Sequence, residues 1–137
     1  MSASRASESS VLLVAEAPGA SASLASAVRA RGAARFKLLV PAVAHGLHRL
    51  VDPEDQCCAE AERTIDILRP QLEAAARQPV PAMIGSHEPL AAIEDALNSE
   101  HFDEVVLAGR SGRLARGVRM DLASKVRGLG VRVTGAS

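Results

Sequence analysis

The chain has no tryptophan, no tyrosine and only two phenylalanines among its 137 residues, although 47% of the residues are hydrophobic. Its core must therefore be built mainly from aliphatic side chains. Proteins that bind single-stranded nucleic acid stack the bases on aromatic side chains, and this composition offers almost no such surface. We therefore expect no nucleic-acid partner.

Long apolar segments are missing too. No run approaches the roughly 20 residues that span a bilayer, and the opening MSASRASESS has no apolar stretch like that of a signal peptide. The two cysteines, Cys57 and Cys58, are adjacent in a helical pattern, so their side chains diverge and an intradomain disulfide is not expected. These absences predict a cytoplasmic protein without membrane contact.

The net charge is zero, but the charges are unevenly spread. Residues 1–51 carry six basic and two acidic side chains, residues 52–104 carry three and thirteen, and residues 105–137 carry seven and one. The last basic stretch surrounds a glycine turn at 109–112. Two interpretations stay open for it: a solvated surface or a site for an anion.

Short apolar runs alternate with amphipathic segments along the chain. The runs predict strands over Val11–Ala15, Phe36–Val40, Val80–Ile84, Val105–Ala108 and Val131–Thr134. The segments between them predict helices over about 21–31, 53–77 and 88–99, with a short one from about 121. This alternation is typical of an α/β fold with a doubly wound parallel sheet. We expect one domain over residues 10–137 after a disordered tail of residues 1–9.

Two prolines make this assignment specific. Pro70 falls inside the apolar stripe of the longest helix and should kink or split it, because proline cannot donate to the carbonyl of Asp66. Pro81 falls inside the third strand and favours an edge position for it. The first strand, in contrast, is a continuous apolar run and is expected to be central and buried.

In doubly wound sheets, ligands lie beyond the carboxyl ends of the strands, where the strand order reverses. The first and fourth strands are expected to flank that crevice, and the fourth runs into a glycine turn. Small residues there let a phosphate approach backbone N–H groups, and a helix N-terminus adds partial positive charge. The candidate nucleotide- or anion-binding residues are therefore Ala15, Glu16, Val40, Gly109, Arg110, Ser111, Gly112 and Arg113.

The glycines, Arg113 and Glu16 also have plainer interpretations. Many turns between a strand and a helix need glycine for the turn alone. Arg113 could clamp a phosphate through its planar donor fork, or it could be solvated or paired with the acidic middle of the chain. Glu16 could contact a ribose hydroxyl or be an ordinary loop residue.

No other group of residues predicts chemistry. His45, His48, Cys57 and Cys58 are the only metal-like cluster, but zinc takes about four ligands in a tetrahedron and these side chains are poorly arranged for it. Ser111 has no neighbouring histidine or lysine to activate it as a nucleophile. We predict no metal site and no catalytic residue, and the role of the histidines and cysteines stays open.

The order of elements from Val11 to Thr134 resembles that of the universal stress protein family. Three segments, HGLHRLVDPED, HEPLAAIEDALNSEHFDEVVLAG and RMDLASKV, look like stretches of universal-stress-like proteins from actinobacteria. The resemblance implies an adenine-nucleotide α-hydrolase-like fold with a five-stranded sheet of order 3-2-1-4-5 and helices on both faces. It also implies a homodimer, which we predict through the last strand, Val131, Arg132, Val133 and Thr134, as an unpaired edge.

ATP-binding members of that family carry Gly-x2-Gly-x9-Gly-Ser/Thr. Gly109 and Gly112 match the first half, but nine residues further on stands Leu122-Ala123. Aligning on SKV instead puts Met120-Asp121 where Gly-Ser would be, and an acid at that position repels phosphate. The resemblance therefore extends to the fold, while the match for nucleotide binding is incomplete.

Three functions follow as alternatives. The first is a regulatory or partner-binding module of the universal-stress type, non-catalytic, with a degenerate nucleotide crevice and a protein partner. The second is a universal stress protein that binds ATP or AMP, with slow ATP hydrolysis. The third is an enzyme of the wider adenine-nucleotide α-hydrolase-like group, for which the sequence shows no catalytic constellation.

ATP-binding members of the universal stress protein family also place Asp at the end of the first strand, where this chain has Ala15 followed by Glu16.

Overall fold

The five apolar runs form the strands of one sheet. We describe a computed structural model over residues 9–16, 18–32, 34–42, 53–108 and 122–136, with the backbone alone for Pro18, residues 53–58 and Ala136. The strands are β1 (Ser9–Ala15), β2 (Ala34–Pro41), β3 (Ala82–Gly85), β4 (Glu104–Ala108) and β5 (Arg132–Ala136). The helices are α1 (Ser21–Arg31), α2 (Pro53–Ala76) and α3 (Pro89–Ser99), and residues 122–127 are also helical.

All four strand pairs are parallel, and the strand order is β3-β2-β1-β4-β5. This confirms the predicted α/β fold, a Rossmann-like doubly wound sheet of order 3-2-1-4-5. β1 lies in the middle, and its residues Val11–Ala15 are at most 3% exposed, as the continuous apolar run predicted. The order reverses between β1 and β4, so the switch point lies between these two strands.

Alternating side chains of the strands enter two separate cores. On one face, Val11 and Leu13 pack with α1 and α2, while on the other face Leu12 and Val14 pack with α3 and the helical residues 122–127. Helices therefore cover both faces of the sheet, because a strand buried on both sides needs apolar partners on each. The alternation of side chains along each strand produces these two layers.

The long helix α2 uses the predicted apolar stripe. Ala61, Leu68 and Leu72 are buried in the first core, with Ile65 and Ala75 partly buried against it. The helix runs through Pro70, so the alternative of a split helix is wrong. Pro70 lies on the exposed side of α2, where its ring faces solvent rather than the core.

The third strand begins later than the sequence pattern suggested. β3 starts at Ala82, and Val80 is instead fully buried in the first core. Pro81 cannot donate to a ladder, but its carbonyl oxygen accepts the N–H of Leu38 at 2.8 Å, which starts the pairing of β2 with β3. The strand lies at one edge of the sheet, as expected for a strand next to proline.

The two ends of the chain show small differences from the predicted bounds. β1 begins at Ser9, two residues before the predicted Val11, and residues 1–8 of the predicted tail lie outside the described residues. β5 covers Arg132–Ala136 rather than Val131–Thr134, and it pairs with β4 from Glu104 to Ala108. The register pairs Glu104 with Arg132 and Ala108 with Ala136.

Candidate functional site

The carboxyl ends of β1 and β4 lie side by side at the switch point. Ala15 pairs with Ala108 in the register of the two strands, and Val14 pairs with Leu39, one residue before Val40 on the neighbouring strand. The sheet therefore brings three of the strand ends named by the sequence to one place. Ala15, Val40 and Ala108 are all at most 5% exposed, so only backbone groups are available to a ligand at these positions.

Glu16 and the start of α1 follow directly after the end of β1. Glu16 follows Ala15 directly and is partly exposed. A single 3-10 turn, Pro18–Ala20, leads from it into α1. The helix has no side-chain cap at Ala20 and no acidic residue in its first turn. Its first N–H groups therefore give the carboxyl edge of the sheet partial positive charge, and no acidic side chain within the first turn neutralises it.

The rest of the predicted anion loop lies outside the described residues. Gly109, Arg110, Ser111, Gly112 and Arg113 all fall in the gap at 109–121. His45 and His48 fall in the gap at 43–52, and the side chains of Cys57 and Cys58 are not described. Within the described ranges, no group of three or more His, Cys, Asp or Glu side chains is arranged to hold a metal ion.

Leu122 and Ala123 follow nine residues after Gly112, where one alignment with the family motif puts its last glycine and hydroxyl. The other alignment uses Met120 and Asp121, which lie outside the described residues. Leu122 and Ala123 belong to the helical residues 122–127 and are partly buried against the second core, whose central member on this helix is Val126. Their side chains therefore contribute to packing. A hydroxyl that hydrogen bonds to phosphate is absent at both positions.

The opposite end of the sheet, where the strands begin, is called the amino edge. It holds a polar network that the sequence did not indicate. Arg31 at the end of α1 donates two hydrogen bonds to Glu104 at the start of β4, from Nε at 2.9 Å and from Nη2 at 2.7 Å. Thr134 of β5 donates to the same carboxylate. The Arg31 side chain is 20% exposed and that of Glu104 is 13% exposed, so the pair is largely shielded from solvent.

This network shifts both ionisable groups toward their charged forms. The bond from the Arg31 guanidinium lowers the pKa of the Glu104 carboxyl, against the effect of burial. The same bond raises the pKa of Arg31. Together with Thr134, the pair links α1 to β4 and β5. This structural role explains the network without a ligand.

Next to the Arg31–Glu104 pair, Asp103 forms a second contact, a pair of hydrogen bonds with Ser10. Its backbone N–H donates to the carbonyl of Ser10 at 2.8 Å, and its Oδ2 accepts the N–H of Ser10 at 2.8 Å. The bond from Ser10 lowers the pKa of the Asp103 carboxyl, and His101, whose Nε2 lies 3.1 Å from Oδ1, adds to the lowering. The two bonds with Ser10 fix the first residues of β1 against β4.

The amino edge also contains a groove with a volume of about 290 Å³. Its lining comes from the starts of β1 and β2, from the segment before β3 and from the segment before β4. It therefore lies at the end of the sheet opposite to Ala15 and Ala108. Nothing local in the sequence pointed to it, because its walls are drawn from four separate segments.

Comparisons with known proteins add no family assignment. A scan against protein-family models finds no match, and a search of curated proteins finds none either. Among the described residues, no helix has both the length and the apolar character needed to cross a bilayer. The fold and the two edges of the sheet are therefore the basis for any functional proposal.

Proposed function

We propose that this protein is a universal-stress-like regulatory module that binds a protein partner and catalyses no reaction. Its carboxyl-edge crevice, between β1 and β4, is degenerate in this proposal and holds ATP or AMP weakly. The single observation that carries the proposal is the packing of Leu122 and Ala123 into the second core, within a sheet of order 3-2-1-4-5. In the alignment that puts the last glycine and hydroxyl of the motif at Leu122 and Ala123, both side chains serve packing, which supports weak rather than tight nucleotide binding.

The alternative is a universal stress protein that binds ATP or AMP tightly and hydrolyses ATP slowly. Two observations favour it: the buried small pair Ala15 and Ala108 at the switch point, and the uncapped, acid-free start of α1 beside them. Both would let a phosphate approach backbone N–H groups. Neither replaces the missing hydroxyl, so we keep weak binding as the main proposal.

Calorimetric titration with ATP and with AMP separates the two. We expect dissociation constants no tighter than about 10 μM, which corresponds to about −7 kcal/mol. Whatever affinity exists should fall in Arg113→Ala and with added salt, because the ligand is an anion. Arg29→Ala is the control, since Arg29 is an exposed cation near the far end of α1. Submicromolar affinity for ATP would reject the main proposal in favour of the alternative.

A homodimer through β5 completes the proposal. β5 is an edge strand whose described strand neighbour is β4 alone. Val131 and Val133 are partly buried against the second core, while Arg132 and Gly135 are exposed. An exposed edge is a template for another strand, and a two-fold copy would satisfy its outward backbone groups.

Light scattering tests the dimer with a matched pair of variants. A Cβ added at Gly135 or at Gly19 meets no atom within 4 Å, so the single chain has room for a side chain at both. Gly135→Asp would bring two like charges together across a β5 interface and should shift the protein toward monomer, whereas Gly19→Asp should leave the mass unchanged. A monomeric mass for the unmodified protein at micromolar concentration would refute the dimer.

A further inference from the structure

The groove at the amino edge draws its apolar lining from both cores of the protein. Phe36 and Phe102, the two phenylalanines of a chain without tryptophan or tyrosine, both line it. They come from opposite faces of the sheet, since Phe36 belongs to the first core and Phe102 to the second. Both are more than 90% buried, so their rings form a floor rather than an exposed patch.

One wall of the groove is held in place by hydrogen bonds. It consists of the segment from Gln78 to Pro81, whose two prolines are exposed. Three hydrogen bonds hold the segment: Gln78 donates to the carbonyl of Ala34, Val80 N donates to Glu73 Oε2 at 3.0 Å, and the Pro81 carbonyl accepts from Leu38 at 2.8 Å. These hydrogen bonds restrict the segment before a ligand binds, which reduces the conformational entropy lost on binding.

The charged residues of the lining are Arg35, Lys37 and Glu100, which together carry one net positive charge. The Lys37 ammonium donates to Glu100 Oε1 at 3.0 Å. An ammonium can donate three hydrogen bonds, so this contact leaves capacity for a ligand. The Glu100 side chain is 52% exposed and can turn toward solvent, while that of Lys37 is 27% exposed.

We propose that this groove is a second binding site, separate from the carboxyl-edge crevice, for a small organic carboxylate with an apolar body. The apolar body packs on Phe36, Phe102 and the two prolines, and the carboxylate pairs with Lys37. The volume of about 290 Å³ is near the lower limit, roughly 300 Å³, of small-molecule sites, which suits a ligand of one ring. The site goes beyond the proposed function, because it uses the other end of the sheet.

The two phenylalanines make the experiment direct. Protein labelled with ¹³C only in phenylalanine rings gives ring signals from Phe36 and Phe102 alone, and both rings lie in the groove. Phenylacetate is the probe, phenylacetamide its neutral isostere and phenethylamine its cationic counterpart. We expect saturable shifts of the ring signals with phenylacetate, at millimolar affinity as befits about ten non-hydrogen atoms. The amide should bind about two- to fivefold more weakly, as for one partly exposed charge pair, and the amine more weakly still.

Variants of the ion pair give effects of opposite sign. Lys37→Gln should weaken phenylacetate about two- to fivefold, and Glu100→Gln should strengthen it by a similar factor, because an acid beside the ligand is removed. Lys125→Gln is the matched control, since Lys125 is the only other lysine of the chain and does not line the groove. It should leave binding unchanged.

Two results would overturn the proposal. The first is the absence of saturable ring shifts up to about 50 mM phenylacetate, a concentration well above the millimolar dissociation constant expected for a ligand of this size. The second is equal binding of phenylacetate and phenylacetamide, which would show that no cation recognises the carboxylate. Both are measured on the unmodified protein, so they hold even if a variant fails to fold.

Discussion

Glu104 accepts hydrogen bonds from Arg31 and Thr134, and the bond from Arg31 lowers the pKa of its carboxyl. A carboxyl with a lowered pKa in the folded state stabilises the fold fully above its unfolded pKa, about 4.3. That contribution is lost as the pH falls through the lower folded pKa, because the unfolded state then binds the proton more readily. Asp103 has a lowered pKa as well and acts in the same direction.

Glu104→Gln tests this account by urea unfolding at pH 7 and near pH 3. At pH 7 the variant should lose about 1–3 kcal/mol of unfolding free energy, since Arg31 is left without its shielded partner. Near pH 3 the difference should shrink, because this glutamate is then protonated in the unfolded chain and must release its proton to form the ionised pair on folding. Glu62→Gln, an exposed glutamate of α2, is the control and should change little at either pH. An equal loss at both pH values would contradict the role given to ionised Glu104.

Sequence reasoning could not find this network at the level of residues. Arg31 and Glu104 are 73 positions apart, and no local pattern links them. Only after the strand order is known do the end of α1 and the start of β4 meet at the amino edge. Ala15 was easier to place, because it ends the first strand, and ligands of doubly wound sheets lie beyond the carboxyl ends of the strands where the strand order reverses.

At the scale of elements, β3 and α3 approach unusually closely at Gly85. A Cβ built there would lie 2.6 Å from the Ala92 Cβ and 2.9 Å from the Leu39 Cδ1. Glycine is therefore needed for packing, and the start of α3 could not lie so near the sheet with a larger residue. The sequence pattern left Gly85 between the predicted third strand and the next helix, with no sign of this contact.

Gly85→Ala should destabilise the protein by about 1–3 kcal/mol, as overpacking does. Ala92→Gly removes the nearest atom and should recover part of that loss in the double variant, even though glycine in a helix costs about 1 kcal/mol by itself. A double-mutant cycle by chemical denaturation measures this coupling. Gly19→Ala, where an added Cβ has open space, is the control. Additive effects of the two changes would exclude the close contact.

Most elements could be predicted from the periodicity of apolar residues. The run Val11–Ala15 and the stripe of α2 gave elements of the right kind in nearly the right places. The predicted start of β3 was wrong by two residues, because Val80 packs in the core before the strand begins. Pro70 left α2 in one piece, since a long helix packed by Leu68 and Leu72 tolerates one missing hydrogen bond on its exposed side.

At the scale of the whole molecule, both cores depend on β1. Leu13 is fully buried in the first core, in the central strand of the sheet. Leu13→Asp places an unpaired charge there at a cost of several kcal/mol, comparable with the total stability of a domain of this size, about 5–15 kcal/mol. We expect an unfolded or insoluble protein by circular dichroism. The control is Ala22→Asp, which puts the same side chain on the exposed side of α1 and should melt nearly as the unmodified protein does. A soluble Leu13→Asp protein with unchanged melting would contradict the central place of β1.

The two ends of the sheet differ in what could be foreseen. The carboxyl edge was predicted from topology, and β1 and β4 are adjacent there as expected. The groove at the amino edge was not, because Phe36, Pro81 and Phe102 are drawn together only by the folded sheet. General rules of folds place ligands at one edge, whereas a site at the other edge depends on particular side chains.

Native mass spectrometry of the freshly purified protein tests the central claim most directly, since it reports the nucleotide and the assembly in one spectrum. The proposal of a regulatory dimer with a degenerate crevice predicts twice the mass of one chain, with no nucleotide attached. A mass raised by one ATP or AMP per chain would contradict the degenerate crevice, and a single-chain mass would contradict the dimer.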